Sequence, residues 1–333
     1  MARTNYVKYY LEQVTSDVRE QPLLLTNTDI NFQQLNDTDY SIDLMQIRQV
    51  ISNVVHANKD PLLAFRLGES FSIKHLGLIG HALMSCDTVV NATRYWNHFN
   101  MLVGNVLSYP LCKVDNTYEL AFTELCPLGD LLPFCIEQSL MSTLAIIKEL
   151  TGLPSHYQRV EVTYSSQQAS LDQKTYQKLL GCSIRFNCKH NKAVFADTNF
   201  NRPIITANED TLQFFEYHCR DVLQKLELKE GLGRKIRRIF LKHSRSPPKI
   251  SKVANMLAMS ERTLRRKLKK EGLSYSQILN DFRRDMSIEY LKNTKLSAKE
   301  IAYLLGYDDI SSFRRTFKVW TGDTVKDYRQ RLS

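Results

Sequence analysis

Two stretches in the last third of the chain carry side chains suited to recognition. One holds Arg262, Thr263, Arg265, Arg266 and Lys269; the other holds Ser311, Ser312, Arg314, Arg315 and Lys318. A guanidinium can donate two parallel hydrogen bonds to the major-groove edge of guanine, and Ser or Thr hydroxyls serve several base edges. Lysine is a flexible point charge, so Lys269, Lys270 and Lys318, late in their segments, suit phosphates better than bases. Neither stretch contains a nucleophile beside a base, nor a group of metal ligands. Their chemistry is that of reading a nucleic acid, not of transforming it.

The elements that must position these residues form a repeat. Ala254 corresponds to Ala302 and Leu257 to Leu305 at an offset of 48. Beyond the next turn the offset is 49: Leu264 matches Phe313, Arg265-Arg266 matches Arg314-Arg315, and Leu268-Lys269 matches Phe317-Lys318. The extra residue falls in the turn, where it disturbs least. Each copy reads as helix, tight turn, helix. Val253, Ala254 and Leu257 face inward, Ala258 to Ser260 turn the chain, and Ser260 caps a second helix anchored by Leu264 and Leu268. The small residues Ala254 and Ala302 allow a close crossing. A basic solvated surface would explain one Arg-rich helix about as well; two copies with matched cores and matched Arg pairs favour groove reading. The first reader is denser in Arg, so it is expected to carry more affinity and guanine preference, and the second more shape and methyl-group contact.

Between the copies, Tyr275 to Asn293 spaces Ile278, Phe282, Met286, Tyr290 and Leu291 along one helical face. A rigid connector of this kind is what two helices need to enter successive major-groove segments, roughly 34 Å apart on one face of B-DNA. Arg283 on this connector is expected to pair internally in preference to a phosphate.

Charge is divided unevenly. The chain has 333 residues and a formal net charge of +10, a length that favours two domains. Gly231 to Ser333 holds 25 Lys and Arg against 10 Asp and Glu, whereas the remainder holds 20 against 25. Such asymmetry points to a polyanion-binding module attached to a domain with another task. The seven cysteines lack paired short spacings, which argues against disulfides and zinc and for buried reduced thiols. No catalytic, metal or cofactor residue is assigned. His75, His81 and His98 sit among apolar helix residues and are read as packing or capping groups. Glu137, inside an apolar helix, either reaches the surface or pairs within the fold, with a ligand-binding role as the lesser alternative. The polar start of the chain and the Glu137, Gln138 and Lys148 interruptions of Leu131 to Leu150 lead to the expectation of a cytoplasmic protein with no membrane partner.

The first part of the chain reads as an α+β domain, mainly helical with a small sheet. Helices are expected from Ser41, as N-cap, through Ile51, with Leu44, Ile47 and Ile51 on one face; from Asp60-Pro61 to Gly68; over Leu76 to Met84, with Gly77 and Gly80 permitting close packing; and over Thr88 to Leu102. The longest, Leu131 to Leu150, should end at Gly152 and Pro154. Strands are expected at Tyr118 to Thr123, Val160 to Tyr164 and Ser183 to Phe186, with Ala193 to Phe195 beside the last. A helix over Thr211 to Leu228 presents Leu212, Phe215, Cys219, Val222 and Leu226 to the first domain or to a partner helix. Arg234 to His243 is a basic helix, and Pro247-Pro248 forces an extended link. The expected division is 1–207 for sensing and dimerisation, 208–229 as a helical linker, and 230–333 as an all-α domain of two helix-turn-helix units joined by a connector helix.

The pattern Ile301-Ala302, Leu305-Gly306-Tyr307-Asp308-Asp309, Phe313 to Lys318, Trp320-Thr321-Gly322 and Tyr328-Arg329 resembles the signature of AraC-type transcription regulators over Gly231 to Leu332. Val325 stands where that family usually has Pro. The segments Asp60-Pro61, Phe65 to Glu69 and Leu76 to Thr88 resemble the arabinose-binding-like sensor domain of the ornithine-utilisation-regulator branch. Tyr176, Leu180 to Cys182, Ile184 to Phe186 and Asn201 to Pro203 extend that match. The resemblance implies a homodimer on double-stranded promoter DNA, most often activating, with RNA polymerase a candidate contact. It also implies a small-molecule effector, such as an amino-acid derivative or fatty acid, whose binding residues are not assigned. Two alternatives are a ligand-independent architectural DNA-binding protein and a DNA-repair enzyme with an AraC-like half. The second would need a tight cluster of four cysteines, which the spacing from Cys86 onward does not supply.

Overall fold

The computed structural model describes residues 4–14, 21–36, 40, 42–229, 231–243, 247–293 and 296–332. The chain divides into two compact units, Met1–Lys225 and Leu226–Ser333.

The first unit opens with α1 (Asn5–Val14), α2 (Gln21–Leu24), α3 (Phe32–Asn36), α4 (Leu44–Ala57) and α5 (Leu63–Glu69). Asp43 caps α4: its carboxylate accepts from the amides of Met45 and Gln46, and the Gln46 side chain accepts from the Asp43 amide at 3.0 Å. The expected cap, Ser41, lies outside the described residues; Asp43 satisfies the free helix amides through a capping box instead. Ile47, Val50, Ile51 and Val54 of α4 are buried, while Leu44 is only half-buried. Pro61 does not enter the next helix. Asp60 Oδ1 accepts from the Leu62 amide, and the chain turns over Pro61 and Leu62 before α5 begins.

There follow α6 (Leu78–Ser85), α7 (Val89–Phe99), β1 (Leu107–Ser108), β2 (Leu111–Val114), β3 (Thr117–Ala121), β4 (Thr123–Glu124) and α8 (Leu132–Thr151). Close packing at Gly80 is real: a β-carbon there would lie 2.3 Å from the Ile73 carbonyl oxygen. Gly68 on α5 serves α8 in the same way, since its β-carbon would lie 2.5 Å from the Gln138 carbonyl oxygen. Helix α8 closes on Gly152 in the left-handed conformation, donating back to Lys148.

The unit is completed by β5 (Arg159–Glu161), α9 (Gln173–Leu180), β6 (Ser183–Arg185), β7 (Lys192–Ala196), α10 (Asp197–Phe200) and most of α11 (Glu209–Lys229), whose last residues belong to the second unit. The main sheet has the order β2-β3-β7-β5-β6, antiparallel except for the β5–β6 pair, which α9 connects. Strand β7 therefore lies between β3 and β5, not beside β6 as its sequence neighbourhood suggested. Ala193, Val194 and Phe195 are buried on both faces, and that burial fits a central strand. Strand β2 was not foreseen: it is an edge strand with Cys112, Lys113 and Val114 exposed, so it shows no alternation. Val162 to Tyr164 leave the sheet after β5, where the Thr163 amide donates to Asn191 Oδ1. Asn208 caps α11 through the Thr211 amide. On α11, Cys219 is buried and Phe215 stacks on His81 with ring centroids 5.2 Å apart, so this part of the stripe packs on the first unit, while the Leu226 side chain lies outside the described residues.

The 23 residues Gly129–Thr151 are long and apolar enough to cross a membrane by length and composition alone. Their buried polar side chains Glu137 and Gln138 have partners inside the fold. Gln138 Oε1 accepts from the Tyr10 hydroxyl at 2.8 Å. Glu137 is fully buried; its carboxylate accepts from Ser170 Oγ at 2.7 Å and from the Tyr176 hydroxyl. Burial pushes the Glu137 carboxyl above the usual range, and the Tyr176 and Ser170 hydrogen bonds oppose that rise. The folded chain thus keeps this proton to higher pH than the unfolded chain. Its contribution to stability is complete below the ordinary carboxyl pKa and is lost as pH rises through the raised value. Glu137→Gln, which cannot ionise, should remove that fall, amounting to about 1.4 kcal/mol per pH unit within the window. Urea unfolding of both proteins between about pH 4 and 8 checks it; parallel curves would refute the assignment.

The second unit contains α12 (Leu232–Lys242), α13 (Ile250–Met256), α14 (Glu261–Lys270), α15 (Tyr275–Asn293), α16 (Ala298–Leu304), α17 (Ile310–Thr321) and α18 (Val325–Leu332). One core runs through it, including Ile236, Phe240, Leu264, Phe282, Phe313 and Phe317. Helix α12 is more than a basic surface, since Ile236 and Phe240 are fully buried against α15.

Candidate DNA interface

The two helix-turn-helix copies share their turn geometry. Ala258 has φ +51° and its counterpart Gly306 has φ +70°, so both turns pass through the left-handed region. Glycine takes that conformation freely, whereas alanine is strained there by about 1 kcal/mol. In the first copy Ser260 Oγ caps α14 through the Thr263 amide at 3.2 Å. In the second copy Asp309 Oδ1 caps α17 through the Ser312 amide at 2.8 Å. The Ser312 hydroxyl and amide hold the Asp309 carboxyl below its ordinary range.

Leu264 and Leu268 anchor α14, and Phe313 and Phe317 anchor α17, all essentially inaccessible. With 3.6 residues per turn, Arg262, Arg266 and Lys269 then lie on the side of α14 opposite the anchors, as Ser311, Arg315 and Lys318 do on α17. All six are exposed. Arg265 and Arg314 are exposed on the flanks. Thr263 and Ser312 are half-buried and belong to the caps: Thr263 Oγ1 lies 2.9 Å from Ser260 Oγ, and Ser312 Oγ donates to Asp309 Oδ2 at 2.7 Å. Among the ten side chains singled out in the sequence, these two hydroxyls are already engaged.

The greater Arg density of the first copy is partly offset. Arg265 pairs with Glu261 at 2.7 Å across one helical turn. The equivalent neighbour of Arg314 is Ile310, and Arg314 forms no ion pair among the described residues. An exposed i, i+4 pair contributes only about 0.3–0.5 kcal/mol, so DNA phosphate can displace it readily. Two exposed residues on these faces escaped the sequence reading. Lys267 adds a cation to α14, and Val319, 80% exposed, occupies on α17 the position of Lys270 on α14. An apolar side chain there suits contact with a thymine methyl group.

Arg283 pairs internally, as expected. Its Nε donates to the Leu305 carbonyl at 2.8 Å and a terminal nitrogen donates to the Gly306 carbonyl at 2.7 Å. Its guanidinium carbon lies 4.4 Å from the centre of the Tyr307 ring. The connector thereby holds the turn of the second copy through two charge-assisted hydrogen bonds.

The remaining candidates are structural. His75 Nδ1 accepts from the Ser72 amide at 3.0 Å, and His98 meets the Phe99 ring edge-on. Cys86, Cys126, Cys135, Cys182 and Cys219 are buried, but Cys112 is exposed and Cys188 half-buried, so the expectation of uniformly buried thiols fails at the edge of the sheet. Among the described residues, no group of three or more His, Cys, Asp or Glu is placed to hold a metal ion.

A model of the arabinose-binding domain of AraC transcription regulators, N-terminal, matches residues 20–204, and a helix-turn-helix domain model matches residues 253–331. The chain belongs to the AraC family of transcription regulators. This AraC-family chain is 31% identical over 271 residues to the ornithine utilization regulator of Pseudomonas aeruginosa, covering 81% of this chain and 79% of that one. It is 26% identical over 324 residues to an uncharacterized HTH-type transcriptional regulator of Mycobacterium tuberculosis, covering 92% and 90%. The crystal structure of the transcriptional regulator CdpR from Pseudomonas aeruginosa matches 96% of this chain and 99% of that one, at 22% identity and a TM-score of 0.44. The AraC-family chain is thus a DNA-binding transcription regulator.

Proposed function

We propose that this AraC-family regulator is an effector-modulated, sequence-specific activator that acts by binding alone, as a homodimer on promoter DNA in the cytoplasm. Residues 1–207 sense and dimerise, 208–229 link, and 230–333 read DNA with Arg262, Thr263, Arg265, Arg266 and Lys269 from one copy and Ser311, Ser312, Arg314, Arg315 and Lys318 from the other. The observation that carries this reading is the equivalent placement of Arg266 and Arg315, each opposite a fully buried anchor pair on a capped helix. An effector that binds one arrangement of the linked units more tightly than another shifts their populations, and hence the spacing of the paired readers. RNA polymerase is the partner an activator of this kind would recruit.

Selection of bound duplexes from a random pool, with and without cell extract, tests the proposal. The full chain should enrich segments one helical turn apart, and the extract should change their occupancy. A 230–333 fragment should keep the base preference while binding at least about tenfold more weakly, because it lacks the second tethered copy. Equal affinity of fragment and full chain would remove the dimer. An architectural role without base preference would instead give a steep salt dependence and little enrichment.

A further inference from the structure

The N-terminal unit contains a partly open pocket with about 610 Å³ of empty space, some of it continuous with solvent. Phe71, Val89, Ile147, Leu150 and Phe200 form its buried wall, and the half-buried Trp96 and Ile146 stand toward solvent. No Asp, Glu, Lys, Arg or His is among the described residues that line it.

The lining hydroxyls are mostly engaged. Thr93 Oγ1 donates to the Val89 carbonyl at 2.8 Å, and Ser142 and Thr143 both donate to the Ser139 carbonyl, at 3.2 and 2.7 Å. The Tyr109 hydroxyl lies 3.1 Å from Ser139 Oγ and accepts from Asn105 Nδ2 at 2.8 Å. Neither the Tyr6 hydroxyl nor the Trp96 indole N–H makes a hydrogen bond among the described residues, which leaves these two as the available polar handles. A buried ammonium or carboxylate needs a counter-charge or several strong hydrogen bonds, and this wall supplies neither.

We infer that this pocket binds a neutral, predominantly apolar small molecule bearing at most one or two hydrogen-bonding groups, and that this molecule is the effector. Its status as effector rests on the proposed function; its binding does not. An amino acid such as ornithine, charged at both ends, does not fit the lining, and a fatty-acid carboxylate finds no counter-charge on the wall and would have to stay in solvent at the mouth.

Trp96 provides the readout, because the chain's only other tryptophan, Trp320, belongs to the second unit. The full-length protein is titrated with 1-decanol, sodium decanoate and L-ornithine while tryptophan fluorescence is followed. 1-Decanol should give a saturable change, decanoate should bind at least about tenfold more weakly, and ornithine should give none. Trp96→Phe should remove the signal but keep the thermal stabilisation by 1-decanol. Ala92→Phe, which fills the pocket, should abolish both; Ile146→Phe, at a half-buried site, replaces it if Ala92→Phe does not melt cooperatively. Saturation by ornithine or decanoate at equal or lower concentration, no saturation by 1-decanol, or a response that survives the filled pocket overturns the assignment. Affinity for the selected duplex, measured in the same samples, separates the two readings. Saturation by 1-decanol without a change in DNA binding keeps the site and removes the effector role. A DNA response to ornithine while Trp96 stays silent keeps effector control and removes this pocket.

Discussion

Phe282→Ala is expected to lower the unfolding free energy of the C-terminal unit by about 3–5 kcal/mol. Phe282 is fully buried on the connector helix α15, its ring 5.3 Å from that of Phe240, in the core that also holds the anchors of both helix-turn-helix copies. Truncation there removes the transfer free energy of the ring and leaves a cavity among the Phe, Leu and Ile side chains of that core. A loss of that size is comparable to the whole stability of a small domain. Calorimetry should therefore show one transition moved down steeply while the transition of the N-terminal unit, with its separate core, stays in place. A change below about 1 kcal/mol would mean that the copies are held by something other than their shared core.

The double variant Arg266→Ala, Arg315→Ala should weaken binding to the selected site by about 2–6 kcal/mol. Each arginine contributes about 1–3 kcal/mol as a bidentate guanine contact. The two lie on separate helices, each with its own anchors, so their effects should add closely. Binding to random DNA should change far less, and the salt dependence on the selected site should stay the same. If both residues touch phosphate instead, specific and random DNA lose affinity together, and the slope of log affinity against log salt falls by about one for each arginine removed. Competition titrations at two or three salt concentrations distinguish these outcomes. Arg265→Ala makes a useful comparison, because its pairing with Glu261 predicts a smaller loss than Arg266→Ala.

The helices of the DNA-binding unit were legible because they are local objects. Leu264 and Leu268, or Phe313 and Phe317, lie one turn apart in sequence and in space, and the caps Ser260 and Asp309 act three residues ahead. The copies also checked each other, since a core position in one fixed its counterpart. Part of what stayed hidden was decided by distant parts of the chain. Nothing near Ala193 to Phe195 indicates that this strand pairs with Thr117–Ala121 and Arg159–Glu161, some 35 to 75 residues earlier. Leu111–Val114 gave no signal because an exposed edge strand needs no apolar face. Asp43 displaced Ser41 as cap because Gln46 stands where it can complete the box. At the DNA face, the residue types indicated which side chains to choose but not which were already occupied. The engagement of Thr263 and Ser312 follows from their place three residues after the cap, which the sequence does contain.

Arg283 has a consequence for how such a protein changes its targets. It grips the second turn through the carbonyl oxygens of Leu305 and Gly306, which every residue type provides. The mounting is therefore indifferent to the side chains displayed on α17. Ser311, Arg315, Lys318 and Val319 can drift, one substitution at a time, without loosening the part that aims them. A lineage carrying this arrangement can acquire new operators while its scaffold stands still, and the same property makes α17 the place to begin when redirecting the protein to a chosen sequence.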